Sequence, residues 1–190
     1  MQHGRRTESP GNYPTKPLRY IVHFGAGGPT GARARWAAQK LNAALGQTVI
    51  VDNRPAEGGV PATAAVAKSP SDSYTPLAGN PGPLTVAPAI TPNLPYHTLR
   101  DFTPVILIAK SASALVVHAA IPARTLEEFI ALSKARPGRL IYSTPGAGTV
   151  GHLSTEAFAN RAGIHLVHVP YNGGVSQYTI ELISGYIDFA

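Results

Sequence analysis

The chain has 190 residues, of which 44% are apolar, with 19 Gly, 18 Pro and no Cys. That apolar share excludes a low-hydrophobicity disordered chain, and the missing Cys excludes disulfides, thiolate zinc sites and cysteine nucleophiles. The net charge is +6, but the basic residues are dispersed, the nearest to a run being Arg33-Ala34-Arg35 and Lys134-Ala135-Arg136. A nucleic-acid surface would cluster them among aromatics, so the charge is read as suiting a small anionic ligand or solubility.

The first dozen residues are polar, with Gly4, Pro10 and Gly11, and are expected to be a disordered lead. They lack the apolar stretch of a signal peptide, which leaves either an intracellular chain or one whose export signal has been removed. No apolar run reaches the ~18 residues of a membrane span. Leu18-Arg19-Tyr20-Ile21-Val22 is β-branched and aromatic and predicts a strand. A small-residue loop follows from Gly25 to Gly31. The spacing of Ala32, Trp36, Ala37, Leu41, Ala44 and Leu45 predicts a helix, with Gly46 as its stop. Thr48-Val49-Ile50-Val51 predicts a second strand, parallel to the first. The same order recurs with a helix over 61–68, a short strand over 74–78 containing Pro76, a Gly/Pro loop over 80–84 and a strand near 105–108.

From Leu115-Val116-Val117 the pattern restarts. Thr125 and Glu128 form a capping-box signature for a helix to about Ala135. A strand over 140–143, a loop over 144–149, a helix over 152–161 and a strand over 164–169 follow. A loop of Pro170-Tyr171-Asn172-Gly173-Gly174 precedes a helix over 175–183, and Tyr186 to Phe189 begins a last strand. The expectation is two α/β units, 13–108 and 109–190, after a lead over 1–12.

Three loops share one construction, at 24–31, 143–151 and 170–176: a strand ends, small residues follow, and a helix starts. In open parallel sheets such loops lie where ligands bind. Their glycines permit close backbone approach, and the helix N-termini aim free N–H groups at an anion. A dinucleotide fingerprint fits poorly. Asp52 stands about where the acidic residue belongs, yet the glycines at 25, 27, 28 and 31 miss G-x-G-x-x-G. Catalytic signatures are absent: there is no nucleophile elbow and no H-E-x-x-H. His152 and Glu156 are spaced for one helix face, without a third metal ligand at a recognisable spacing. His165 and His168 fall on opposite faces of their strand and cannot share a metal there.

Several ordered motifs carry a resemblance: Tyr13-Pro14-x-Lys16-Pro17-Leu18-Arg19, Phe24 with Gly27-Gly28-x-Thr30, and Asp52-Asn53-Arg54-Pro55 with Gly58-Gly59. Leu94-Pro95-Tyr96, Leu99-Arg100-Asp101-Phe102, Ala135-Arg136-Pro137-Gly138 and His168-Val169-Pro170-Tyr171-x-Gly173 follow. The set resembles the Bug family, the TctC-like substrate-binding proteins of tripartite tricarboxylate transporters. The resemblance implies a periplasmic-binding-protein-like fold, with two α/β domains and parallel-rich sheets around a central cleft. It implies a periplasmic receptor without catalysis or cofactor that captures a small carboxylated solute and hands it to a membrane permease. Some members also address a sensor kinase. The competing reading is a Rossmann-like nucleotide-binding enzyme fragment.

Carried over by position, the resemblance implies ligand contacts from Phe24, Ala26, Gly27, Gly28, Thr30 and Asn80 in the first unit. In the second it implies Ser143, Gly146, Gly148, Thr149 and His152, with Tyr171, Asn172, Gly173, Gly174 and Asp188. The chain departs from the family pattern at His23, where Pro is usual, at Pro29, where Gly is usual, and at Gly31, where many members carry an Asp suited to amino groups. Family members are longer and return to complete the first domain after the second, so this chain is expected to stop before that return.

Overall fold

A computed structural model describes residues 13–171 and 174–190; the expected lead over 1–12 and residues Asn172 and Gly173 lie outside them. Two parallel sheets organise the molecule. In the first, β1 (Leu18–Val22) pairs with β2 (Val49–Asn53), from Leu18 opposite Val49 to Val22 opposite Asn53. The segment 74–78 lies along the other edge of β1. Arg19 N–H donates to Tyr74 O at 2.8 Å, Ile21 N–H to Pro76 O at 2.9 Å and Ala78 N–H to Ile21 O at 2.8 Å. Pro76 cannot donate, which shortens this pairing to a bridge between Ile21 and Leu77.

Helix α1 (Pro29–Leu45) makes the crossover between β1 and β2, and Gly46 ends it in the left-handed conformation at φ 65°. It packs through Ala34 and Ala38 on Leu18, Tyr20 and Val22, the residues of one face of β1. A 3-10 turn (Glu57–Gly59) leads into α2 (Val60–Ala67). Beyond the third segment the structure departs from the expected Gly/Pro loop. A π-helical turn (Gly82–Val86) runs into α3 (Ala87–Ile90). Prolines suggest a loop, but in a first helical turn the missing N–H removes no helical hydrogen bond, and Pro83 occupies such a turn. A short α4 (Thr98–Asp101) follows.

The strand expected near 105–108 is corrected too. Residues 102–116 form no regular element, and Val105 is 90% exposed. Strand propensity in Val105-Ile106-Leu107-Ile108 needs a neighbouring chain to supply ladder hydrogen bonds, and the described residues place none beside it.

In the second sheet β3 (Ile141–Thr144) pairs in parallel with β4 (Val167–Pro170). Phe189 bridges the other edge of β3, and Val117 joins it from the opposite direction. Val116 and Ala190 exchange hydrogen bonds of 2.9 Å in both directions. Helix α5 (Leu126–Ala135) opens with the expected capping box, Thr125 accepting from Glu128 N–H. Helix α6 (Val150–Ala162) begins two residues earlier than the apolar spacing suggests, because Thr149 caps it. Strand β4 starts later than expected, since Ile164 N–H closes the end of α6 by donating to Ala159 O. Helix α7 (Val175–Ser184) follows. Phe129, Leu140, Tyr142 and Phe189 form the core of this half.

Phe129 is 1% exposed, stacks on Phe158 and meets Phe189 edge-on. Phe129→Ala is therefore expected to lower the unfolding free energy by about 3–5 kcal/mol. Leu99→Ala, at a side chain 88% exposed, should stay within ~0.5 kcal/mol. Urea unfolding followed by circular dichroism measures both.

Candidate functional site

In the first half the chain leaves β1 at Val22, passes the buried His23 and reaches Phe24, whose carbonyl accepts from Asn53 Nδ2 at 2.8 Å. Gly28 is the N-cap of α1, extended at φ −89°, and no side chain caps the helix. Pro29 has no N–H, so Thr30 and Gly31 carry the first free amides. A Cβ at Gly31 would lie 2.8 Å from Ala26 O. The loop folds back over the start of the helix and requires glycine there.

In the second half the corresponding loop is held by its own hydroxyls. Thr149 Oγ1 donates to Gly146 O at 2.7 Å and accepts from His152 N–H at 3.4 Å. Ser143 donates to Val169 O at 2.6 Å. Thr144 Oγ1 meets His168 Nε2 at 2.8 Å and accepts from Gly146 N–H at 3.3 Å. Gly148 N–H donates to His152 Nδ1 at 3.3 Å. The third helix, α7, begins at Gly174, with φ 88° and no side-chain cap. Tyr171 is tied down through its backbone: its N–H donates to Thr144 O and its carbonyl accepts from Gly174 N–H, both at 2.9 Å.

These loops meet across the two halves. A Cβ built on Gly27 would fall 2.9 Å from Ser176 Cβ, and one on Gly174 would fall 3.6 Å from Gly25 N. Gly58 faces Ala147 O in the same way at 3.1 Å, and Gly148 faces Ile90 of α3 at 3.2 Å. The N-termini of α1 and α7 thus adjoin, while the loop before α6 lies against the 3-10 turn and α3. None of α1, α6 and α7 has an acidic residue in its first turn. By contrast α5 carries Glu127 and Glu128 there, with its capping box complete.

The structure sorts the sequence-derived candidates. Ala26, Gly27, Gly28, Thr30, Gly148 and Gly174 belong to the loops that meet, and Phe24 stands at the root of the first. Asn80 Oδ1 accepts from Gly82 N–H at 3.1 Å, and a Cβ on Gly82 would lie 3.7 Å from both Gly148 O and Gly58 O, so Asn80 stands beside the loops that meet. Ser143 and Thr149 are buried, each with its single O–H directed at a backbone carbonyl, so they shape the loop. Gly146 is buried beneath it. Asp188 is not brought to the site. Its Oδ2 accepts from Ile141 N–H at 2.7 Å, at the amino end of β3 and opposite the loops. Asn172 and Gly173 lie outside the described residues. Sequence reasoning missed Ser176 and Gly58; the position of Ser176 in the first turn after a glycine loop was the available signal.

The titratable groups near α6 form a packed set. The His152 and His168 rings lie 4.4 Å apart, and His168 stacks on Tyr142 at 4.8 Å. Burial chiefly, then the neighbouring His152, lowers the pKa of His168. Burial raises the Tyr142 pKa, and its donation to Glu156 Oε1 at 2.5 Å reinforces the rise. Glu156 is thereby engaged by Tyr142 and His152 by Gly148, and among the described residues no group of three or more His, Cys, Asp or Glu could hold a metal. Asp52, the residue a dinucleotide ribose would need, accepts from Arg19 Nε at 2.8 Å and Arg54 Nε at 2.9 Å.

Paired α/β units with helix starts facing one another define a fold of the periplasmic-binding-protein class. An adipate-bound R. palustris protein is 34% identical at a TM-score of 0.89, with 93% of this chain and 59% of that one covered. MatC from Rhodopseudomonas palustris, with bound malate, is 28% identical at a TM-score of 0.87, with coverage of 93% and 60%. BugT of Bordetella pertussis is 37% identical over 176 residues, 92% of this chain and 54% of BugT. Residues 33–190 match the model of the tripartite tricarboxylate transporter family receptor, TctC, and the chain belongs to that family. It spans about half the length of the curated relatives it matches.

Thr149→Val keeps the shape of the loop before α6 and removes both Oγ1 hydrogen bonds. It is expected to lower the unfolding free energy by about 1 kcal/mol, measured by urea titration. Ser176→Ala, at an exposed position, should leave stability within ~0.5 kcal/mol.

Proposed function

We propose that the chain is the solute-binding part of a periplasmic receptor that holds a small dicarboxylate or tricarboxylate between its two halves and passes it to a membrane permease. It is a receptor and performs no reaction. One observation carries the reading. The three helices that open onto the facing loops have no acid in their first turns, and α1 and α7 also lack side-chain caps. Uncapped helix starts supply N–H donors and positive partial charge to an anion. The lobes are residues 13–108 and 109–190. The donors are the backbone around Ala26, Gly27, Gly28 and Thr30 on one side, and around Gly148, Gly174 and Ser176 on the other.

Gly31 narrows the ligand class. With no carboxylate at this position, the start of α1 offers no counter-ion to an ammonium group, so the site suits acids without an amino group. The adipate and malate held by two structural neighbours belong to that class. The loop also cannot take a side chain there without moving, since the Ala26 carbonyl stands in the way.

Isothermal titration with adipate, malate, succinate, citrate and glutamate tests the proposal. At least one acid without an amino group is expected to bind at one site, more tightly than glutamate and more weakly at high salt. Gly31→Asp should weaken that binding at least tenfold, through like charge and displacement of the loop. Saturation by none of the acids would overturn the reading.

A further inference from the structure

The first-half loop rests on a histidine that no function so far described uses. His23 is 1% exposed, and neither ring nitrogen has a hydrogen-bond partner. Its ring lies 4.4 Å from that of Phe24, the root of the first loop. It also presses on Gly59, where a Cβ would fall 2.4 Å from His23 Cδ2. Gly59 itself is in the left-handed region at φ 97°. The next residue back, Gly58, is the one that approaches the Ala147 carbonyl of the second half. A continuous line of contact therefore runs from the imidazole through the 3-10 turn to the opposite loop.

From this geometry we infer that His23 is a positioning residue, a neutral wedge that holds the 3-10 turn against the second half, and that acid opens the cleft by charging it. An imidazolium cannot stay in a dry, unpaired position. To be protonated, the ring needs water, and water reaches it only if the Phe24 loop and the Glu57–Gly59 turn separate. Burial accordingly pushes the His23 pKa down to about 4 from 6.5. No charged neighbour contributes. Asp52 and Arg54, at the end of β2, are paired with each other, and Asp52 also holds Arg19. Glu57, at the head of the turn, is exposed, as are Arg33, Arg35 and Lys40 on α1. The facing loop, 145–149, has no ionisable side chain, and the nearest titratable groups on the element behind it are His152 and Glu156 of α6.

The sign follows from the shift. The closed form binds the proton only near pH 4, and a solvated His23 binds it near pH 6.5. The closed state is favoured fully above pH 6.5 and loses ground as pH falls toward 4. The opening constant should rise roughly a hundredfold between pH 7 and pH 4. Under the proposed function this would release solute in acid, so the functional consequence rests on that reading, whereas the motion itself does not.

The absence of Cys lets paired spin labels be placed at Lys40→Cys on α1 and Lys134→Cys on α5, both exposed. The interlabel distance is measured by pulsed electron spin resonance from pH 7.5 to 4 without solute. Far-UV circular dichroism confirms that the fold is retained at each pH. The wild-type distance distribution should shift to longer values below pH 6.5, and the His23→Phe protein should keep the short distance throughout. His168→Gln should open like wild type. An unchanged wild-type distance, or equal opening in His23→Phe, would overturn the proposal. Should His23→Phe not fold, the His23 ring titration in the wild-type protein, read by nuclear magnetic resonance, decides. A midpoint that matches the distance change supports the wedge, and an ordinary midpoint near 6.5 in the closed protein excludes it. A failure of adipate or malate to bind would count against the receptor reading and leave these outcomes unaffected.

Discussion

The first amides of an α-helix have no carbonyl partner within the helix, and the arrangement of this chain follows from where it leaves them. At α5 they are satisfied locally, by Thr125 and Glu128. At α1 and α7 no side chain among the described residues caps them, and the two starts adjoin. Glycine makes this possible at two points in particular. Gly31 lets the first loop fold over α1, and Gly174, at φ 88°, lets α7 begin beside Gly25. Under the proposed function, an anion held there completes hydrogen bonding that these helix starts leave open.

The two halves repeat one plan: a strand, a small-residue loop, a crossover helix and a parallel neighbour on one edge, with a third segment on the other. They differ in how the loop is held. The first loop rests on His23, Asn53 and the close approach at Gly31. The second is laced by Thr144, Thr149 and His152 to its own backbone. One loop is therefore rigid through local hydrogen bonds, and the other depends on a buried ring with no hydrogen-bond partner.

The β-loop-α-β units were legible because their signals are local: β-branched runs, apolar spacing in α1, the Thr125–Glu128 box, and Gly46 and Gly163 as stops. What depended on long-range partners was not. Val105 to Ile108 have strand propensity, but among the described residues no neighbour pairs with them. The segment 80–84 reads as a loop because its prolines are visible and the place of Pro83 in a first helical turn is not. The three glycine-rich loops were legible from their strand-loop-helix construction, and the individual candidates within them came from the family motifs. The fate of Ser143 and Asp188 turns on which carbonyl or amide stands opposite, which the register of β3 with β4 and with Phe189 decides, whereas Thr149 is turned onto the Gly146 carbonyl of its own loop. The family motifs supplied the class of protein, and the geometry separated residues of the loops that adjoin from residues hydrogen-bonded within a loop.

The central claim is that backbone amides from both halves bind one anion. It is tested most directly by following amide resonances in a 15N-labelled sample during titration with a dicarboxylate such as adipate. The account predicts that Gly27, Gly28 and Thr30 of one half shift together with Gly148, Gly174 and Ser176 of the other, along one saturation curve. Saturating shifts confined to one half, or centred away from the starts of α1 and α7, would contradict it.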